Sequence, residues 1–160
     1  VSTVALALCL GGGAAAQGPA PCPSDAATAQ LARQLFAKIN AARAAASVPP
    51  LHWSAAAAGA ARCHSQQMMQ RGQLFHGGDQ NTGPGDRLRR VGIVWSRVAE
   101  NVGEATSIAA VQRMMMDEPR GQANHRANIL DPQLHDLGVG IARRGEMLFI
   151  TEDFYTPLHD

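Results

Sequence analysis

Near its C-terminus the chain carries a pattern that strongly constrains the fold, because large and small residues alternate over residues 137–142 (Leu-Gly-Val-Gly-Ile-Ala). Successive side chains of a strand point to opposite faces, so this segment predicts a strand with one large apolar face and one small face. Residues 143–146 predict a turn, and residues 147–154 predict a returning strand that is more fully buried. We therefore expect a β-hairpin at the end of the domain.

Helical spacing dominates the N-terminal half of the chain. A first helix is predicted from about residue 26 to residue 46, with Ser24 or Asp25 as its N-cap, and it ends before Pro49. The residues expected to form its buried stripe are Leu31, Leu35, Ile39 and Ala42.

A second helix is predicted between Ser54, a good N-cap, and Gly72, a good C-cap. Its alanines allow another helix or a sheet to approach closely. His64 falls on its core side, and we interpret it as a buried histidine that is hydrogen-bonded to the backbone, with a metal ligand as the alternative. Asp86 is expected to cap a short helix over residues 87–90.

Acidic side chains accompany two apolar segments in the middle of the chain. Residues 94–102 predict a strand, and Glu100 within it needs a partner, a wet cleft or a solvent-facing place on an edge strand. A helix that starts near Thr106 is predicted to carry Glu118 at the end of its apolar face, just before Pro119.

The segment 124–132 (Asn-His-Arg-Ala-Asn-Ile-Leu-Asp-Pro) concentrates polar groups beside an apolar anchor. A short helical turn would direct Ile129 and Leu130 inward and leave His125 and its polar neighbours facing a groove. Pro132 ends the turn, because proline cannot continue a helix. The alternative interpretation is a capped one-turn helix without a functional role.

The N-terminus has the composition of a targeting segment. Residues 1–10 are largely apolar and residues 14–16 fit a cleavage site, so residues 1–16 are interpreted as a signal peptide without its basic start. A lipoprotein anchor at Cys9 is the alternative. The remaining predicted divisions are a proline-rich leader (17–27), one domain (28–157) and a tail (158–160).

Composition agrees with an exported domain. Cys22 and Cys63 remain after removal of the signal peptide and predict a disulfide, with two free thiols as the alternative. The net charge is +1 and aromatic residues make up 4%, so no basic aromatic surface indicates a nucleic-acid partner. The apolar N-terminal run is too short for a transmembrane segment.

Ordered blocks along the chain resemble the CAP superfamily (SCP, PR-1 and CRISP-like proteins), specifically its small bacterial secreted branch. The resemblance covers about residues 31–154 and implies an α+β fold, a three-layer α-β-α sandwich with an open cleft. The blocks that carry it are residues 39–43, 51–53, 61–65, 75–76, 86–88, 100–101, 125–130 and 137–140. This chain departs from the family pattern at Met115, where a tryptophan is usual, and in a longer segment 119–124.

The resemblance also implies a tetrad of side chains in the cleft. Its members here are His76, Glu100, Glu118 and His125, which come from four separate segments. The polar residues expected to support them are Asn101, Arg126 and Asn128. Neutral imidazoles can hold zinc or another divalent ion, so His76 and His125 are the candidate metal ligands.

Three functions stay open from the sequence. The first is a secreted binding module for a lipid, a sterol or a cell-wall component, with a divalent metal such as zinc as a candidate cofactor. The second is a metal-dependent hydrolase or peptidase that uses the tetrad. The third is a structural protein of the cell envelope. In each case we expect a monomer that is secreted, extracellular or periplasmic.

Overall fold

The computed structural model describes residues 22–78 and 82–158. The predicted signal peptide, residues 17–21 of the predicted leader and residues 159–160 of the predicted tail lie outside this part of the chain. The described elements in chain order are α1 (Ala26–Ala45), β1 (His52–Trp53), α2 (Ala55–Arg71), α3 (Pro84–Arg90), β2 (Trp95–Ala105), α4 (Ile108–Met116), α5 (His125–Ile129), β3 (Asp136–Arg144) and β4 (Met147–Pro157).

Four strands form one sheet in the order β1-β3-β4-β2. The predicted hairpin is confirmed, since β3 and β4 pair antiparallel, and β2 pairs antiparallel with the other edge of β4. The two-residue strand β1, which was not predicted, pairs parallel with the start of β3. Helices α1, α4 and α5 pack on one face and α2 and α3 on the other, which confirms the three-layer sandwich.

The small face of β3 lets α2 approach to backbone contact. A Cβ atom built on Gly138 would lie 2.2 Å from the backbone at Ala57, and one built on Gly140 would lie 2.1 Å from the backbone at Ala61. Any side chain at either glycine would therefore separate the helix from the sheet. The large face of the same strand supplies core residues beneath α1, namely Leu137, Val139 and Ile141.

The caps of the first two helices are confirmed, but the buried face of α1 lies one residue further round than predicted. Asp25 caps α1, and Ser54 and Gly72 bound α2. Leu31 and Ala42 are only half-buried. The residues of α1 that are buried are Thr28, Ala32, Leu35, Ile39 and Arg43.

Arg43 explains this rotation, because its side chain is completely buried and satisfies distant backbone carbonyls. Its Nε donates to the carbonyl of Pro49 at 2.7 Å. One terminal nitrogen donates to Ile129 at 2.8 Å and to Asp131 at 3.0 Å, and the other donates to Leu134 at 3.2 Å. The guanidinium thus fixes α1 against the segment that follows α5.

Two helix ends differ from the predictions. Helix α3 starts after Gly83 and not at Asp86, because the proline that follows Gly83 suits the first turn of a helix. Asp86 instead accepts from the Gly83 N–H at 3.2 Å. Helix α4 ends at Met116, so Glu118 lies beyond the helix and not on its face.

The predicted disulfide is present between Cys22 and Cys63, whose Cα atoms lie 5.3 Å apart. It ties the start of the described chain to the middle of α2. Arg62 and Gln66 reinforce this attachment by donating to the carbonyls of Cys22 and Pro23.

We expect Arg43→Met to lower the free energy of unfolding by about 4 kcal/mol, because the carbonyls of residues 49, 129, 131 and 134 would lose their donor while the apolar volume is largely kept. Urea unfolding followed by circular dichroism measures this change. Arg113→Met, at an exposed position of α4, is the matched control and should cost less than about 0.5 kcal/mol. Equal losses for the two variants would contradict the role of Arg43.

Candidate functional site

The first pair of the predicted tetrad forms between the α2–α3 loop and β2. His76 Nδ1 donates to Glu100 Oε1 at 2.8 Å. The imidazole is 59% exposed, whereas the Glu100 side chain is 1% exposed. An exposed imidazole therefore contacts a buried carboxylate, and the hydrogen bond that His76 donates to Glu100 raises the pKa of His76.

Arg87 contacts both members of this pair. Its guanidinium contacts Glu100 Oε2 and also donates to the carbonyl of His76 at 2.9 Å. His64 fixes the preceding residue, since its Nε2 donates to the Phe75 carbonyl at 2.7 Å, and this confirms the buried, backbone-bonded interpretation of His64. Sequence reasoning missed the role of Arg87, whose only signal was its place in a family-like block.

The second pair forms between α4 and α5. His125 Nδ1 donates to Glu118 Oε1 at 2.6 Å, and the Arg126 N–H donates to the other oxygen at 3.3 Å. These two bonds lower the pKa of Glu118 in spite of its partial burial. Asn124 caps α5 by accepting from the Ala127 N–H at 3.0 Å, so the first turn of α5 aims His125 at Glu118.

Asparagine side chains connect the two pairs. Asn101 donates to the His125 carbonyl at 3.2 Å and accepts from Asn128 at 2.8 Å. Asn128 also donates to the backbone carbonyl of Glu100 at 3.3 Å. The three predicted supporting residues therefore all contact the tetrad: Asn101 and Asn128 through these bonds, and Arg126 through Glu118.

Glu152 extends this network into the core. It lies opposite Asn101 in the sheet and accepts from Asn101 at 2.9 Å, while its side chain is completely buried. Its second oxygen has no partner within the described residues. Burial raises the pKa of Glu152 to about 7. Sequence reasoning missed this residue, although the signal was the same as for Glu100, a carboxylate inside a buried strand.

A second buried carboxylate lies behind the first pair, on the other face of β4. Asp153 is the cross-strand neighbour of Glu100 and lies 3.8 Å from the Arg87 guanidinium. Burial and the negative charge of Glu100 raise the pKa of Asp153 well above its ordinary value. Burial and the positive charge of Arg87 lower the pKa of His64, which favours a neutral imidazole beside the pair.

Across residues 22–78 and 82–158, no three His, Cys, Asp or Glu side chains are grouped closely enough to hold a metal ion. Each histidine of the tetrad nevertheless uses Nδ1 for its carboxylate, which leaves Nε2 as the ligand atom. Two side chains with nucleophilic groups on α2, Cys63 and Ser65, are both already bonded. Cys63 is in the disulfide, and Ser65 is buried against the Gly140 carbonyl and Thr151.

Two grooves mark the surface. One of about 910 Å³ lies between the C-terminus of α1 and the segment 116–132. One of about 400 Å³ lies between α1, β1 and α2. Neither is lined by the paired side chains, although the larger one includes Asn124 and Arg126, the two neighbours of His125.

The arrangement of these elements and pairs agrees with the sequence comparison, in which the model of the CAP family (cysteine-rich secretory protein family) matches residues 36–154. The chain belongs to the CAP family. Met115, which departs from the usual family residue, is completely buried in this CAP domain beneath Gly103 of β2.

Proteins similar to this CAP domain include two from Bacillus species. The chain is 29% identical over 110 residues to the uncharacterized protein YkwD of Bacillus subtilis, a match that covers 68% of this chain and 41% of that protein. An extracellular SCP-domain protein of Bacillus anthracis superposes with a TM-score of 0.72 at 25% identity and covers 84% of this chain and 45% of its own. The chain thus spans less than half the length of both relatives.

A third similarity shows the fold alone. An outer surface protein of Borrelia burgdorferi superposes with a TM-score of 0.73 at 12% identity and covers 82% of this chain and 96% of its own. Within the described ranges, no helix is both long and apolar enough to cross a membrane. The disulfide is consistent with an extracellular, oxidising location.

We expect Glu152→Gln to change how stability depends on pH. The folded-state pKa of about 7 exceeds the ordinary 4.5, so the bound proton stabilises the fold at low pH, and this contribution is lost as the pH rises through about 7. The variant keeps an acceptor for Asn101 but carries no charge. Urea unfolding should show its largest gain over wild type near about pH 8 and its smallest near about pH 5.

Glu146→Gln, at an exposed carboxylate in the hairpin turn, is the control and should follow wild type at every pH. A Glu152→Gln variant whose stability runs parallel to wild type over this range would show that the Glu152 proton does not couple to folding.

Proposed function

We propose that this CAP domain is an exported binding module that takes an amphiphile with an acidic head group, such as a lipid or a cell-envelope component. The observation that supports this function is the 910 Å³ groove, which combines apolar and basic walls. A sterol would lack the acidic group that the basic wall suits. This groove is the feature that favours a binding function over hydrolysis.

The walls of the groove differ in character. Helix α1 contributes small residues at its C-terminus, and Met116 and Leu130 continue this apolar surface. Arginine provides the basic side of the groove through Arg97, Arg120 and Arg126. Among the groove residues that the structure describes, Asp131 is the one acid, and its carboxylate is bound to Arg97 at 2.8 Å. The remaining positive charge favours an anionic ligand.

A divalent ion such as zinc is the cofactor that we propose for the paired histidines. Carboxylates that accept from Nδ1 fix the tautomer and the orientation of His76 and His125, so that Nε2 of each ring can bind a metal. The ion would supply a positive charge near His125 at the start of α5. The same helix forms part of the 910 Å³ groove. Water would complete its coordination, because the two imidazoles provide fewer ligands than zinc requires.

Vesicle binding tests the lipid proposal. We expect the protein to co-sediment with vesicles that contain phosphatidylglycerol and to remain in solution with pure phosphatidylcholine. Arg120→Glu should weaken binding by about tenfold, because each basic side chain near an anionic surface contributes about 1 kcal/mol and the substitution also adds repulsion. Arg90→Glu, an exposed charge reversal on α3, is the matched control. Equal binding to both vesicle types would contradict the proposal.

Zinc titration tests the cofactor. We expect wild type to bind zinc more tightly at about pH 7.5 than at about pH 5.5, since protons compete for the imidazoles. The double variant His76→Ala/His125→Ala should lose this binding while circular dichroism shows an unchanged fold. His52→Ala/His135→Ala removes two exposed histidines elsewhere and should bind as wild type does. Loss of zinc binding in this control alone would place the ion at His52 or His135 and contradict the proposal.

A further inference from the structure

Strand β3 has an edge that the short strand β1 leaves uncovered. β1 pairs only with Asp136 and Leu137, whereas β3 runs on well beyond them. The Leu137 carbonyl accepts from the Ser54 N–H at 3.0 Å, so the backbone groups of Leu137 point to the β1 side. Residues two apart in a strand point the same way, and Val139 and Ile141 therefore direct their N–H and C=O groups past the end of β1.

The outward backbone groups of Val139 and Ile141 face the smaller groove. Val139, Gly140 and Ile141 line its volume of about 400 Å³, although all three residues are buried by area. In the part of the chain that the structure describes, no hydrogen bond reaches the outward backbone groups of Val139 and Ile141. Backbone groups in such a position normally have partners, because an unpaired one costs about 1–3 kcal/mol. The free edge is thus suited to a further strand.

The walls of this groove are basic and aromatic. Arg33 of α1 lies over the Trp53 ring, 3.9 Å from its centre. Arg62 of α2 donates through Nε to the Cys22 carbonyl, and its terminal nitrogens have no partner among the described residues. Aspartate and glutamate are absent from the described residues that line the groove. The charge of the walls therefore complements an acidic ligand.

We propose that this groove binds an extended acidic peptide segment of a partner protein, which adds to β3 as a strand in line with β1. Its main chain pairs with Val139 and Ile141, and an acidic side chain reaches Arg33 and Arg62. Strand addition of this kind takes affinity from main-chain hydrogen bonds and specificity from the flanking side chains. Val139 and Ile141 lie about 7 Å apart along the strand, so about three peptide residues suffice. This site is separate from the lipid groove and from the paired histidines.

The probe is the blocked peptide acetyl-Thr-Val-Glu-Val-Thr-amide, titrated while tryptophan fluorescence and the NMR signals of the Trp53 indole and the backbone amides are followed. We expect saturable binding that falls at least about tenfold when lysine replaces the glutamate. Two further peptides carry N-methyl groups at alternating positions. One should lose binding and the other keep it, because only every second N–H of an added strand faces β3. Equal effects of the two methylation patterns, or no saturation by about 1 mM, would overturn the proposal.

Protein variants locate the site. Arg33→Glu/Arg62→Glu should reduce binding at least about tenfold, whereas Arg90→Glu should leave it unchanged. Ala29→Trp places a large side chain in the groove from an exposed position of α1 and should block peptide binding without a change of charge. This variant keeps the test valid if the double variant does not fold. Peptide binding that survives in the Ala29→Trp variant would place the peptide elsewhere.

Hydrogen exchange at Val139 and Ile141 distinguishes the possible occupants. Both amides should exchange faster in the free protein than in the peptide complex. Exchange that is as slow in the free monomer as in the presence of saturating peptide would mean that another segment of this chain fills the groove. Slow exchange that develops only as the protein concentration rises would mean that a second copy fills it. Either outcome overturns the assignment to a partner peptide.

Discussion

The position of the candidate site depends on the hydrogen bonds that the buried guanidinium of Arg43 donates to backbone carbonyls. A charged side chain enters the core only when its donors are satisfied, and here the partners are the carbonyls of residues 49, 129, 131 and 134. These carbonyls belong to segments that have no regular pairing with one another. Arg43 thus links α1 to the end of α5, and the start of α5 then carries His125 towards Glu118 and Asn101.

Around the site the protein keeps polar groups where packing alone would favour apolar ones. Glu152 and Asp153 are completely buried neighbours on opposite faces of β4, and each lies behind one of the paired histidines. Burial disfavours the charged form of both, so the central strand carries a cost that an apolar sequence would avoid. What the carboxylates provide is a fixed place for Asn101 on one face and for Arg87 on the other.

Much of the architecture follows from local patterns in the sequence. The alternation in β3, the caps of α1 and α2, and the core side of His64 were predicted because each depends on neighbours along the chain. The tetrad came from resemblance, and the structure brings its members together as two hydrogen-bonded pairs. Arg43, Arg87 and Glu152 were missed because their partners are distant in sequence. Their spacing therefore resembles that of ordinary helix or strand residues.

The contact between α2 and β3 also determines how this domain can move. Gly138 and Gly140 receive the helix backbone near Ala57 and Ala61. From Gly138 to Gly140 the strand rises about 6.8 Å, and from Ala57 to Ala61 the helix rises about 6.0 Å. The two spacings nearly match, so both contacts can form at once. On the face that α2 contacts, the neighbours of the two glycines are Asp136 and Ala142, and sliding along the strand would drive the helix backbone against their side chains. The layer formed by α2 and the sheet therefore moves as one rigid unit.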